Sequence, residues 1–412
     1  MIPHIYLLAA LAVTVPVLCS PVDILPPVGF HFVDWWTSQA FACPLWRGTL
    51  PIGAHESTCS NIWTRTHTKA SMTARLYQVP GSWQTAPRYS EIVNGVDDAI
   101  EKGLNIFGSF AGPLTINIGI LSGLLGSRVQ VDYDNNIKNP CYILIGFPAE
   151  WNNIPLLAIQ KDVIQGMYQC VEQFHHPAVG TWTDGNTWWR KGVARYFDGL
   201  AYPATSAIMN NGLYPEEYQK SLALFKNDDA AALFFHFADG AGWSPADVSN
   251  WVKTHANKNS YDEERQALSG DAKIVPLWHK FNLAFVDNTI KYPGGQQILN
   301  RLGGLPGTVY SAVDLAPGGS YSKTFGVDSF RAQRLVFPIR AGQSMRVSTE
   351  LEDGIEWSIR KAGTTTWNSG NRGRSVNIAA AAGSNTNYEI VVSSTSNDAG
   401  GFYGKVLMSR TA

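Results

Sequence analysis

Three side chains in the run "VEQFHH" are spaced for chemistry: Glu172 precedes His175 by three residues and His176 by four. On a helix both spacings bring side chains onto one face. A carboxylate and an imidazole held there can pass a proton between them, or offer oxygen and nitrogen donors to a metal ion. A short connection, "TWTDGNT", leads to a second run, "WWRKGVARYF", from Trp188 to Phe197. It adds the Lys191 ammonium, the Asp184 carboxylate sits in the connection, and Trp188, Trp189 and Tyr196 supply aromatic surface of the kind that lines ligand clefts. Each residue also has a structural use. Glu172 and His175 can form a hydrogen-bonded pair near a helix C-terminus, where the macrodipole favours His; Asp184 can turn the chain in "DGN"; the tryptophans can be core.

Taken together, the two runs resemble the zinc site of the gluzincins, metallopeptidases of the H-E-x-x-H type. There two His four residues apart bind zinc, the Glu beside the first is the general base, and a third ligand, a Glu, lies on a following helix within a pattern like W-x-E-G-x-A-x-Y. In this resemblance Glu172 takes the general-base position and His175 that of the second His, while Trp189, Gly192, Ala194 and Tyr196 match the second pattern. Val171 stands where the first His belongs, and Lys191 where the Glu ligand belongs. Val171 has no lone pair, and Lys191 brings positive charge to a cation site.

With one of three protein ligands left, the resemblance implies a degenerate member that has lost zinc hydrolysis and takes no cofactor. Lys191 is then expected to pair with Glu172 where the metal stood, satisfying a carboxylate that is costly to bury alone. One alternative keeps zinc on Glu172 and His176, joined by His175 or Asp184. Another uses Glu172 as a metal-free base held ionised by Lys191.

The elements that must position these residues can be read on either side of them. "RYSEIVNGVDDAIEKG" predicts a helix capped by Ser90 and ended by Gly103, with Ile92, Val93, Val96, Ala99 and Ile100 on one face. Strands are predicted at 114–121, 128–134 and 141–147; the first two alternate, and "CYILIGF" is apolar throughout, as a central strand is. A long helix follows from Leu156 to His175, stopped by Pro177, and residues 188–285 read as mostly helical, with Ser244 capping "SPADVSNWVKTHA". Beyond Pro306 short alternating runs separated by Gly, Asn, Asp and Ser predict an antiparallel sandwich.

The expected fold class is therefore α+β: a gluzincin-like core of mixed sheet and helical subdomain, then an all-β jelly-roll-like sandwich. The divisions are a signal peptide at 1–19, an aromatic-rich N-terminal region at 20–87, the core at 88–305 and the sandwich at 306–412. The apolar run Ile5–Leu18 is short for a membrane span and ends in small residues, which predicts cleavage near Cys19 or Ser20; an n-region with His4 but no Lys or Arg leaves a retained anchor as the alternative. An exported chain with four remaining cysteines favours two local disulfides, Cys43 with Cys59 and Cys141 with Cys170.

A hydrophobic fraction of 45% against 16% charged residues describes an ordered globular chain, and a net charge of -1 gives no pull towards nucleic acid or anionic membrane. No Walker loop, dinucleotide fingerprint or nucleophile elbow is present. The reading is a secreted pseudopeptidase that binds an extracellular peptide, protein or glycan in the groove between "CYILIGF" and the "VEQFHH" helix, with an active hydrolase built around Glu172 as its rival. A purely structural protein is the third possibility, decided by whether the cleft is open or plugged.

Overall fold

The computed structural model describes residues 60–78, 86–107, 113–121, 128–134, 137–146, 153–175, 187–203, 223–226, 229–255, 258–292, 294–298, 305, 307–370, 374–398 and 401–411. The expected signal peptide, the Cys43–Cys59 pair, Asp184 and His176 lie outside these residues, as does the side chain of His175.

The first sheet joins β1 (Ser60–His67), β2 (Met72–Gln78), β3 (Leu114–Leu121), β4 (Arg128–Asp134) and β5 (Ile137–Gly146) in the order β1-β2-β3-β5-β4. β2, β3 and β5 run parallel, and β1 and β4 flank them antiparallel. The sheet thus reaches back ahead of residue 88, through two strands taken from the aromatic-rich N-terminal stretch. Ile116, Ile118 and Ile120 of β3 and Ile143 and Ile145 of β5 are fully buried, as parallel strands with helices over them must be. β5 lies inside the sheet, as its unbroken apolar run implied, so among the described strands the edge on that side is β4 and not "CYILIGF".

Helix α1 (Ala86–Phe107) buries Ile92, Val96, Ala99 and Ile100. It differs from expectation at both ends. It starts a turn before Ser90, with Pro87 in the first turn, where a missing N–H costs nothing. It also runs through Gly103. A Cβ there would lie 2.6 Å from Met167 Sδ, so this glycine marks where two helices cross and is not a helix stop.

The crossing partner is α2 (Leu156–His175), with the predicted bounds. From Lys161 to Glu172 every residue of α2 is buried, because the sheet, α1 and α3 (Thr187–Ala201) surround it. A disulfide, Cys141–Cys170, ties α2 to β5 across a Cα separation of 5.8 Å. Among the described residues four further α-helices follow: α4 (Ala232–Gly240), α5 (Pro245–Thr254), α6 (Tyr261–Ser269) and α7 (Val275–Val286). Ser244 caps α5 in a full capping box with Asp247. Among the described residues no helix is long and apolar enough to cross a membrane.

The remaining strands are β6 (Gly307–Val309), β7 (Ser320–Val327), β8 (Ala332–Ile339), β9 (Ser344–Glu350), β10 (Ile355–Lys361), β11 (Asn368–Gly370), β12 (Val376–Ala379), β13 (Thr386–Ser394) and β14 (Phe402–Arg410). They form two sheets, β11-β10-β13-β8-β6 and β12-β9-β14-β7, with side chains of both in one core that includes Phe337, Trp357, Ile390, Met345 and Val406. The outer face of the five-stranded sheet is docked on the helices: Phe330, Ala332 and Val391 belong to the helical core. There His279 of α7 bonds Ser393 Oγ (3.0 Å) and Ser358 Oγ (2.8 Å). Arg360 reaches Asp287 at the end of α7 as well as Glu389. The molecule is thus mixed α and β, with three sheets among the described residues.

Candidate functional site

The two runs singled out in the sequence meet on the facing sides of α2 and α3, which pack antiparallel. Along α2, Lys161, Gln165, Gln169 and Glu172 recur at helical spacing and are all buried. At one end of this seam Asp198 of α3 takes Lys161 Nζ at 3.3 Å and the Gln165 amide at 2.5 Å. Arg195 lies 3.2 Å from Asp198 and 3.8 Å from Asp162. At the other end Arg190 Nε donates to Glu172 Oε2 at 3.1 Å, with both side chains fully buried.

That ion pair corrects the expected one. The cation on Glu172 is Arg190, while Lys191 is only half-buried. Neighbours on a helix point about 100° apart, so only one of two adjacent cations can face α2, and α3 turns Arg190 inward. Burial pushes the Glu172 carboxyl up to about 7, against the pull of Arg190. Tyr168, one turn back, is pushed well above the usual phenol range by burial and then by Glu172. Its ring lies 4.8 Å from that of Phe197. Glu172 Oε1, Tyr168 OH and Trp189 Nε1 are buried with no hydrogen-bond partner among the described residues.

The aromatic residues expected to line a cleft are core. Trp188 stacks on Phe235 at 5.8 Å, and its indole N–H donates to Glu264 Oε1 at 2.7 Å. Trp189 stands edge-on to His255 at 6.3 Å, and the Tyr196 hydroxyl donates to Asp239 at 2.6 Å. Each is about 1% exposed or less. Around Glu172 the described residues therefore make a plugged seam and no open groove.

The sequence reading gave no site role to several polar residues that have site-like surroundings. Glu264 is fully buried and accepts from His255 Nε2 at 2.9 and 3.0 Å as well as from Trp188. His236 is packed between Tyr196 (5.0 Å) and Tyr292 (4.9 Å), and burial lowers its pKa to about 3. Nothing in the local sequence flags either one, since their partners lie on other elements. Gln165 and Gln169 did carry a signal, their four-residue spacing, but their amides drew no attention.

Zinc fits poorly here on the chemistry of the donors. Val171 is an aliphatic side chain 8% exposed, a guanidinium already occupies the Glu172 carboxylate, and an ammonium stands at the third ligand position. Among the described residues no three His, Cys, Asp or Glu side chains gather as a metal site.

No family model matches the chain, and no curated protein matches it. Some solved structures are similar to parts of it. PliG from Aeromonas hydrophila, a periplasmic lysozyme inhibitor of g-type lysozyme, is 15% identical over 26% of this chain and 100% of its own, with a TM-score of 0.20. The pre-peptidase C-terminal domain of a Bacillus anthracis collagenase is 11% identical over 25% of this chain and 96% of its own (TM-score 0.19). An aminopeptidase N family protein from Idiomarina loihiensis is 10% identical over 52% of this chain and 44% of its own (TM-score 0.30). Likenesses this faint support no statement about what the chain does.

Proposed function

We propose that this chain is an exported, gluzincin-like protein that works by binding an extracellular peptide and not by hydrolysing one. The observation that carries the reading is the sealed Glu172–Arg190 pair. A general base must reach both a water and a substrate, and a fully buried carboxylate bonded to a guanidinium reaches neither. Plugging of the seam moves the binding surface outward, to β4, the edge strand on that side among the described residues, which an extended peptide can extend as a further strand. The sandwich, which we read as jelly-roll-like, would add an adhesive surface, with a protein or glycan as its ligand.

The test uses full-length protein purified without chelator or immobilised metal. Elemental analysis is expected to find no stoichiometric zinc, and wild type and Glu172→Gln are expected to leave a pooled peptide library equally intact. About one zinc per chain, or hydrolysis that Glu172→Gln abolishes, would sink the binding reading. The first of those results would turn attention to Glu172, His175 and His176 as ligands.

A further inference from the structure

A line of hydrogen-bonded side chains runs from the surface of the sandwich into its interface with the helices. Ser369 of β11 and Ser358 of β10 are direct cross-strand partners, and their hydroxyls lie 3.0 Å apart. Ser369 is exposed, while Ser358 is fully buried. Trp357 and Ile359, on either side of Ser358, belong to the sandwich core, so Ser358 faces the helices. There its Oγ lies 2.8 Å from His279 Nε2, and His279 Nδ1 lies 3.0 Å from Ser393 Oγ on β13. A hydroxyl and an imidazole placed inside a packed interface cost desolvation that apolar side chains would avoid. With its proton on Nδ1, His279 donates to Ser393 and turns the Nε2 lone pair to Ser358. Ser358 then donates to His279 and accepts from Ser369, so both hydroxyl protons point inward. Burial lowers the pKa of His279 to about 4, which leaves the ring neutral and its lone pair ready to accept at neutral pH.

We propose that Ser369 is a nucleophile towards acyl esters, activated by His279 through the Ser358 hydroxyl, with Ser393 as the positioning residue that holds the imidazole. Nucleophile, base and orienting group then stand in the usual order, with one hydroxyl inserted between the first two. As Ser369 Oγ bonds to the ester's carbonyl carbon, its proton passes to Ser358 Oγ, and the proton of Ser358 passes to His279 Nε2. Collapse breaks the bond to the alkoxide oxygen, which takes a proton back along the same chain and leaves as an alcohol. Water repeats the sequence on the acyl-serine, releasing a carboxylic acid and restoring the Ser369 hydroxyl. A base of such low pKa is a weak one. It suits an ester, whose alkoxide departs more readily than the amine of an amide, so the substrate class is an ester and not a peptide. Among the described strands β11 is an edge of its sheet, and a substrate can meet Ser369 there without entering the interface.

The probe is a fluorophosphonate, whose phosphorus the same oxygen attacks with loss of fluoride, applied to the full-length protein and mapped by peptide mass spectrometry. A single label on Ser369 is expected, absent from Ser369→Ala and from wild type unfolded in urea. Ser358→Ala and His279→Gln are expected to label about 100-fold more slowly or worse. Labelling of wild type in deuterated water is expected to be slower than in ordinary water, an effect that a purely structural His279 would not produce and that His279→Gln should remove. The proposal is overturned if folded wild type labels no faster at Ser369 than the unfolded chain, or if the label sits elsewhere and survives Ser369→Ala. It is equally overturned if Ser358→Ala and His279→Gln, with the circular dichroism of wild type, label as fast as wild type. Should those two variants fail to fold, the comparison of folded with unfolded wild type and the solvent isotope effect decide, and loss of either overturns it. The metal and peptide-cleavage measurements on Glu172 are read separately, since this site shares no residue with that seam.

Discussion

A buried ion pair is held in place less by its own attraction than by the cost of breaking it. Removing one partner leaves a charge in a low-dielectric interior, which costs about 3–5 kcal/mol, whereas replacing both with apolar groups is close to neutral. Arg190→Ala should therefore lower the stability of the fold by about that amount, and Arg190→Met/Glu172→Leu should recover most of it, as measured by denaturant unfolding. The pH dependence follows from the carboxyl's shift. Its folded pKa of about 7 lies above the ordinary 4.5, so between those values the folded chain holds the proton more tightly than the unfolded one. Stability contributed by that proton is complete below 4.5 and is lost as pH rises through about 7. Wild type should accordingly lose stability relative to Glu172→Gln over this window. The sequence marked Glu172 as a carboxylate on a helix face and named a cation in the run that follows. It could not choose Arg190 over Lys191, because the choice lies in the rotation of α3 against α2.

For the elements, the seam between α2 and α3 sets register. Lys161 with Asp198 and Glu172 with Arg190 place opposite polarities at its two ends. Sliding either helix by one turn would bury these charges unpaired, so the pairs select one alignment, which apolar contacts alone would not do. The Cys141–Cys170 bridge holds the other side of α2 to β5 and closes a sequence separation of 29 residues. Reduction, or Cys141→Ser/Cys170→Ser, should cost about 2–4 kcal/mol, seen as a lower denaturant midpoint. That bridge could be expected from one cysteine on a predicted strand and one on the helix after it. The role of Gly103 could not, because a glycine that ends a helix and one that admits a crossing helix look the same in sequence.

At the scale of the whole molecule, the sandwich and the helices share a core, with Phe330 packed 5.9 Å from the ring of Trp278 and Arg360 bonded to both Asp287 and Glu389. The two should unfold in one cooperative transition. His279 sits in this interface with both ring nitrogens bonded to serine hydroxyls, and burial lowers its pKa from 6.5 to about 4. The sign is opposite to that of Glu172. Below 6.5 the unfolded chain takes a proton that the folded interface refuses, so the stability it contributes is present above 6.5 and is lost as pH falls towards about 4. Unfolding measured across that window should show His279→Gln, which keeps hydrogen-bonding groups but does not titrate, losing less stability on acidification than wild type.

Sequence alone determined what is local to the chain. The 3.6-residue period and the Pro177 stop set the bounds of α2, Ser244 with Asp247 set the start of α5, and the unbroken apolar run placed β5 inside its sheet. Only the tertiary structure decided what depends on two elements meeting. The partner of Glu172, the burial of Trp188, Trp189 and Tyr196, and the edge position of β4 among the described strands are all of that kind. Periodicity reports which face of a helix is apolar, but the rotation and level at which one helix meets another come from side chains far apart in the chain packing at once.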